Sequence, residues 1–339
     1  MDYTHNRNYG ARICDRYAYD GLKVLVMENE LLRISILVDQ GSDIFEFLYK
    51  PKDIDFMWRS PRCIRTPGKY APGITTDKMF LDYYEGGWQE LFPLGSRGTE
   101  YKDATLGFHG EVWGLPWECQ IVEDTPECVS AKLSVRTVRT PFLLEKTLTL
   151  KSGVPTLFIE EAATNEGSTE LEFMWGHHPA FGKPFIEEGC RVDAPAKEVH
   201  IDGEVLPWPV ANGVDHGIVK HEVRDEERMK YLHKLDDGWC ALTNPNKRLS
   251  FGFRWDKAIY DCVWIWQEFH YTPGFPWFGR TYATALEPFS SVPDAFDNGT
   301  RLLKLGSGQT MNLPLLATVG EGLTSVSKVC DDGTIEGQA

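Results

Sequence analysis

Nothing in the 339 residues approaches the ~18–20 consecutive apolar residues that cross a bilayer as a helix. The opening, MDYTHNRNYG, lacks the basic patch and apolar run of a secretory leader, so none is expected. CxxC spacing is missing as well. The eight cysteines stand at Cys14, Cys63, Cys119, Cys128, Cys190, Cys240, Cys262 and Cys330, a pattern that suits neither a zinc knuckle nor a thioredoxin-type site. Free thiols without a leader point to the cytoplasm. Basic clusters are also lacking. With 35 Lys and Arg against 50 Asp and Glu, the formal charge is −15, which argues against nucleic acid or an anionic membrane as partner and disfavours a phosphorylated or sulfated ligand. Helix patterns are scarce: residues 222–234 (EVRDEERMKYLHK) are the main candidate, and 75–84 a shorter one. No repeat, low-complexity tract or linker divides the chain.

What the sequence has is aromatics and strand signals. Eleven Trp, 13 Tyr and 18 Phe suit half-buried strands and also supply flat apolar faces. Runs at 22–28, 31–38, 129–137, 143–150, 155–163, 170–175, 248–254, 260–266, 280–286 and 311–318 are rich in β-branched and aromatic residues. Turn chemistry separates several of them, at Gly41–Ser42, Ser152–Gly153 and Asn165–Ser168. Short strands at this spacing predict an all-β fold, a large antiparallel β-sandwich. Stretches 61–74 and 202–217 read as long loops. Residues 1–322 are expected to form one sandwich domain, and 323–339 a polar tail with little order.

Three segments carry candidate chemistry. In FHGEVWGLPWE (108–118), His109 sits beside Gly110 on a loop with backbone freedom. In GHHPAFG (176–182), His177 and His178 precede a proline, which favours an extended backbone and should end the strand there. Extended neighbours face opposite sides, so one histidine faces a cleft and the other the packing side. In LEPFSSVPDA (286–295), Glu287 closes an apolar strand among aromatics, where a carboxylate with a shifted pKa can act as a base.

Each motif alone is common; their order is not. The trio resembles the galactose mutarotase (aldose 1-epimerase) family and its hexose-phosphate relatives, and the stretch ISILVDQGSDIFEFLY (34–49) is similar to that family's first hairpin. The resemblance runs from about residue 24 to 318 and implies the galactose-mutarotase-like supersandwich. It also implies a mutarotase activity on a small-molecule sugar without a cofactor or metal. His178 matches the general acid that protonates the ring oxygen. Glu287 matches the base that takes the anomeric proton. His109 matches the second histidine, on the ring-oxygen side. Candidates for the substrate-binding set are His177, Trp88, Glu90, Trp113, Trp266, Gln267 and Arg97. The chain departs from the hexose-phosphate relatives in YYEGGWQELFPLG (83–95), where Glu85 stands in place of their Arg. Arg97 is a candidate replacement, and Gln267 in WIWQEF (264–269) replaces their Asn. Loss of the cation favours a neutral sugar.

Other readings compete with this one. A carbohydrate-binding protein would need the cleft but not a matched acid and base. A metal-dependent sugar isomerase would draw its ligands from His109, Glu111 and one of His177 and His178. An inverting hydrolase would need a second carboxylate, for which Glu90 and Glu268 are candidates. The sequence allows a monomer or a homodimer.

Overall fold

The computed structural model describes residues 7–65, 79–220, 227–293 and 295–339. Strand formation follows the alternation in the sequence. In Phe142–Lys151, residues Phe142, Leu144, Leu148 and Leu150 turn inward and their neighbours outward. Lys146 interrupts that apolar face and is buried with it.

Two antiparallel sheets carry the fold. The larger has twelve strands. Its spatial order is Arg12–Tyr19, Leu22–Glu28, Leu32–Leu37, Asp43–Tyr49, Trp88–Leu91, Gly176–Phe181, Tyr282–Phe289, Cys262–Phe269, Glu227–His233, Glu198–Ile201 and Glu204–Pro207, with Ile54–Asp55 beside the fourth. The smaller has eight strands, including Leu249–Trp255, Thr310–Glu321, Thr156–Asn165 and Phe142–Lys151. Aromatic side chains lock the layers together. Phe251 meets Phe47 at 4.8 Å and Phe181 at 5.1 Å between ring centroids, and Phe253 meets Trp88 at 5.1 Å. This is the large antiparallel β-sandwich expected from the strand pattern.

The middle of the large sheet is buried on both faces. Every residue of Gly176–Phe181, Cys262–Phe269 and Tyr282–Phe289 is buried. One face packs on the second sheet. The other lies under a cover that includes the short helix Met79–Tyr83 and the loops around 92–113 and 270–280, and the side chains between form their own aromatic cluster. The candidate site lies beneath this cover.

Three expectations are corrected. The helix expected over 222–234 is absent where the structure describes it: Glu227–His233 is a strand paired with Cys262–Phe269. Its alternating Met229, Tyr231 and Lys230, Leu232 serve two faces, and sheet pairing overrides the helix propensity of Glu, Arg and Met. The short helix expected at 75–84 is observed as Met79–Tyr83; residues 75–78 lie outside the described residues, as do 66–74 of the first expected loop. The second expected loop, 202–217, contains short strands at Glu204–Pro207, Val210–Ala211 and Val214–Asp215. The polar tail forms a hairpin, Ser325–Val329 with Ile335–Gln338. Val326 and Val329 bury themselves against Trp239, Ala241 and Leu316 on the outer face of the smaller sheet, so the tail covers apolar surface despite its polar composition.

Candidate active site

His178 and Glu287 are brought together by register. Gly176 pairs with Phe289 and Ala180 with Ala285, so His178 falls opposite Glu287 on the adjacent strand. Between those pairs stand Pro179 and Pro288, which have no N–H to give a ladder. The strand expected to end at the His-His-Pro motif therefore continues through it. A proline in a central strand is tolerated here because each faces a stretch where the ladder lapses.

His178 Nε2 lies 3.5 Å from Glu287 Oε1. Both side chains are buried. Neither carboxylate oxygen of Glu287 has a hydrogen-bond partner among the described residues. A buried, unpartnered carboxyl is costly, and burial pushes its pKa well above the ordinary carboxylate range. Burial likewise pulls His178 down to about 4. The pair therefore favours the arrangement with no charges, the carboxylic acid beside a neutral imidazole.

His109 completes the trio from a loop. Its ring centroid is 5.5 Å from that of His178. The residue has φ +65°, a left-handed conformation unusual for histidine. Gly110 follows at φ +77°, where a Cβ would stand 2.3 Å from the Phe92 carbonyl oxygen. Phe80 supports the ring edge-on at 4.5 Å. His109 Nδ1 is 2.6 Å from the Gly95 carbonyl, which only accepts, so Nδ1 carries the hydrogen and Nε2 is left with a lone pair. Burial and the neighbouring His178 hold its pKa well below the usual value.

The trio opens onto a cleft of about 550 Å³. Aromatic walls come from Phe80, Tyr84, Phe108, Trp264, Trp266 and Trp277. Such faces suit the C–H surface of a pyranose. Trp266 lies 6.0 Å from His178 and 5.6 Å from Trp277 between ring centroids. Arg97 sits at the rim, largely exposed, and meets Asp297 at 3.3 Å.

Four expected substrate contacts point elsewhere. Trp88, Glu90 and His177 face the second sheet. Trp88 Nε1 donates to His177 Nδ1 at 3.0 Å, and His177 Nε2 meets Glu161 Oε2 at 3.1 Å. Glu90 accepts from Lys146 Nζ at 3.1 Å and from Trp175 Nε1 at 2.9 Å. Gln267 shares the inner face with Val263, Ile265 and Phe269 by alternation. Trp113 is close by but behind Phe80, edge-on at 5.2 Å, and does not line the cleft. The period of two decides the four strand residues, because neighbours of a cleft residue on a strand cannot share its face; Trp113 lies on the short helical turn Val112–Gly114 instead.

Tyr84, Phe80, Trp264 and Trp277 line the cleft without having been singled out. WIWQEF held the signal for Trp264, which sits two residues before Trp266. Nothing local marks the other three. Glu268, a candidate second carboxylate, is committed to the loop: it accepts from Tyr271 N at 2.6 Å, Thr272 N at 3.1 Å and Thr272 Oγ1 at 2.5 Å. It thereby braces the segment that carries Phe275, Pro276 and Trp277 over the cleft. Glu111 is likewise committed, to Val138 N, Arg139 N and Thr140 Oγ1 at 2.8, 2.7 and 3.0 Å. It does not join His109 as a ligand pair.

A family model described as a domain of unknown function (DUF4432) matches residues 19–312. No curated protein matches the sequence. Solved structures do resemble the fold. A candidate aldose 1-epimerase from Klebsiella pneumoniae is 14% identical, with a TM-score of 0.72, over 91% of this chain and 83% of that one. A galactose mutarotase-like protein from Clostridium acetobutylicum is 17% identical, with a TM-score of 0.66, over 92% and 99%. The Slr1438 protein from Synechocystis is 16% identical, with a TM-score of 0.68, over 91% and 99%. At these identities the likeness concerns the fold.

Proposed function

This chain belongs to the DUF4432 family, and we propose that it is an aldose 1-epimerase-like isomerase that interconverts the anomers of a free, neutral sugar by acid–base ring opening. The observation that carries this reading is Glu287: a buried carboxyl, both oxygens without a hydrogen-bond partner among the described residues, 3.5 Å from His178 Nε2 at the floor of an aromatic cleft. A binding protein has little reason to retain so costly a group.

The chemistry needs one proton removed and one delivered. With Glu287 ionised and His178 protonated, the carboxylate takes the proton from the anomeric hydroxyl. The imidazolium gives its Nε2 proton to the ring oxygen. The C1–ring oxygen bond breaks, the C1–O1 bond becomes the aldehyde, and the pair is left neutral. Rotation about C1–C2 presents the other face. Reclosure returns both protons, and no cofactor is consumed. Burial favours the neutral pair that ring opening leaves behind. His109, with a lone pair on Nε2, accepts a hydrogen bond from a sugar hydroxyl; it has no hydrogen there for a ring oxygen. Arg97 is largely exposed and paired with Asp297, which leaves the cleft suited to a neutral ring.

The test is anomeric exchange of freshly dissolved neutral aldoses, followed by NMR. Wild type should accelerate equilibration of at least one sugar. Glu287→Gln should lose ~10²–10⁴ in kcat. A sugar that binds without faster exchange would reject the mutarotase reading in favour of a binding module.

A further inference from the structure

The fold adds a group that the acid–base pair itself does not contain. Tyr84 Oη lies 3.2 Å from His178 Nδ1, on the side of the ring away from Glu287. Its phenol ring is fixed from three sides: Phe80 stacks on it at 4.7 Å, Trp58 lies at 5.5 Å and Trp277 at 5.9 Å. The ring meets the imidazole edge-on at 5.4 Å. Tyr84 is fully buried, so its hydroxyl is held by packing.

Which nitrogen of His178 bears the hydrogen decides whether the pair can work. The proton exchanged with Glu287 and the sugar passes through Nε2. A neutral imidazole can receive a proton at Nε2 only if its own hydrogen sits on Nδ1. Glu287 stands 3.5 Å from Nε2, and burial holds its carboxyl toward the protonated form, so an acid faces Nε2 and the imidazole hydrogen belongs on Nδ1. Tyr84 Oη, 3.2 Å away, is the oxygen at Nδ1. Burial and the carboxyl groups of Glu287, Glu85 and Asp43 push the Tyr84 pKa well above its ordinary value, so the phenol does not ionise. Among the described residues, the titratable groups around the imidazole are Tyr84, Glu287 and His109.

We infer that Tyr84 is a positioning residue: its phenol oxygen accepts from His178 Nδ1–H, fixes that tautomer, and leaves the Nε2 lone pair facing Glu287 and the substrate. The inference rests on the acid–base reading of the cleft and deepens it. Tyr84 exchanges no proton with the sugar. It keeps the imidazole in the one orientation and tautomer that lets Nε2 cycle between bare and protonated.

The experiment compares wild type with Tyr84→Phe, which keeps the ring against Phe80, Trp58 and Trp277 and deletes only the oxygen. The first readout is the ring ¹⁵N spectrum of histidine-labelled protein without sugar, with the His178 signals assigned by their loss in His178→Gln. Wild type should show the Nδ1–H form, and Tyr84→Phe a mixture or the Nε2–H form. The second readout is anomeric exchange: kcat should fall roughly 10- to 100-fold, less than for a direct acid or base, with KM little changed. The acid limb of the pH profile should move to lower pH, because a lost acceptor at Nδ1 disfavours the imidazolium. An Nε2–H form in wild type, or an unchanged tautomer and kcat in Tyr84→Phe, would overturn the inference. A tautomer change in a protein that turns over no sugar would support the positioning role and reject the mutarotase reading instead.

Discussion

Tyr84 and Glu85 are consecutive, yet they serve different sides of the sheet. Tyr84 reaches His178, while Glu85 accepts from Gln40 Nε2 at 2.6 Å and Gln89 Nε2 at 3.2 Å in a fully buried cluster with Asp43. Burial raises the Glu85 carboxyl to about 7, and burial with the charge of Glu85 raises Asp43 as well. A carboxyl whose folded pKa is raised favours the fold while protonated. That contribution is complete below its unfolded value of 4.5 and is lost as pH rises through about 7. At one pKa unit per ~1.4 kcal/mol, the loss is on the order of 3 kcal/mol. Glu85→Gln is always neutral and can offer an N–H to Asp43 while accepting from Gln40. It should raise Tm at pH 8 and change it little at pH 5, as thermal unfolding at the two pH values would show. An equal effect at both would mean that Glu85 does not titrate in this range.

At the scale of the element, the pairing of Arg59 with Gly86 lets the chain turn from Tyr84 into the strand Trp88–Leu91. Gly86 has φ +91°, and a Cβ there would lie 2.1 Å from the Trp58 carbonyl oxygen. Backbone has no flexible end that can move aside. Gly86→Ala therefore combines a forbidden conformation with a steric clash and should destabilise by ~2–4 kcal/mol. Chemical denaturation would measure it. Because the same turn presents Tyr84 to the cleft and packs it on Trp58, the variant should also lose anomeric exchange activity beyond what its folded fraction explains. The strands Gly176–Phe181 and Tyr282–Phe289 show a second element-level device. Pro179 and Pro288, one on each strand, suspend the ladder on either side of the point where His178 and Glu287 oppose each other. Backbone pairing on either side keeps the register.

At the scale of the molecule, the layers are joined by polar as well as apolar contacts. Lys146 from the smaller sheet meets Glu90 from the larger, and Glu161 meets His177 in the same way. The strand that presents His178 to the cleft is thus tied through His177 to the opposite layer. The C-terminal hairpin contributes from outside: Val326 N donates to Asp193 Oδ2 at 2.9 Å, and Thr318 Oγ1 donates to the Gly333 carbonyl at 2.8 Å. Truncation after residue 322 removes two buried valines and uncovers Trp239 and Leu316. At ~1.5–3 kcal/mol per buried side chain, it should cost at least ~3 kcal/mol, seen as a lower urea midpoint. An unchanged midpoint would reduce the hairpin to a passive appendage. Among the described residues, no helix is long and apolar enough to cross a membrane.

The period-two alternation and turn chemistry of the chain determined the strands, because half-burial of a strand is a local requirement that leaves a local mark. They also determined that His177 and His178 must face opposite ways. Which of the two faced the cleft was not local, and neither was the fate of Trp88 and Glu90. That was decided by which face of the sheet the second layer covered. Glu227–His233 looked helical by composition because propensity is a weak prior, and pairing with a central strand outweighed it. Tyr84, Phe80 and Trp277 carry no motif. Phe80 and Tyr84 reach His178, and Trp277 reaches Tyr84, only after the helix Met79–Tyr83 and the loop after Glu268 fold over the sheet. The opposition of His178 to Glu287 is a product of register between strands more than a hundred residues apart in sequence, and register is set by the whole sheet.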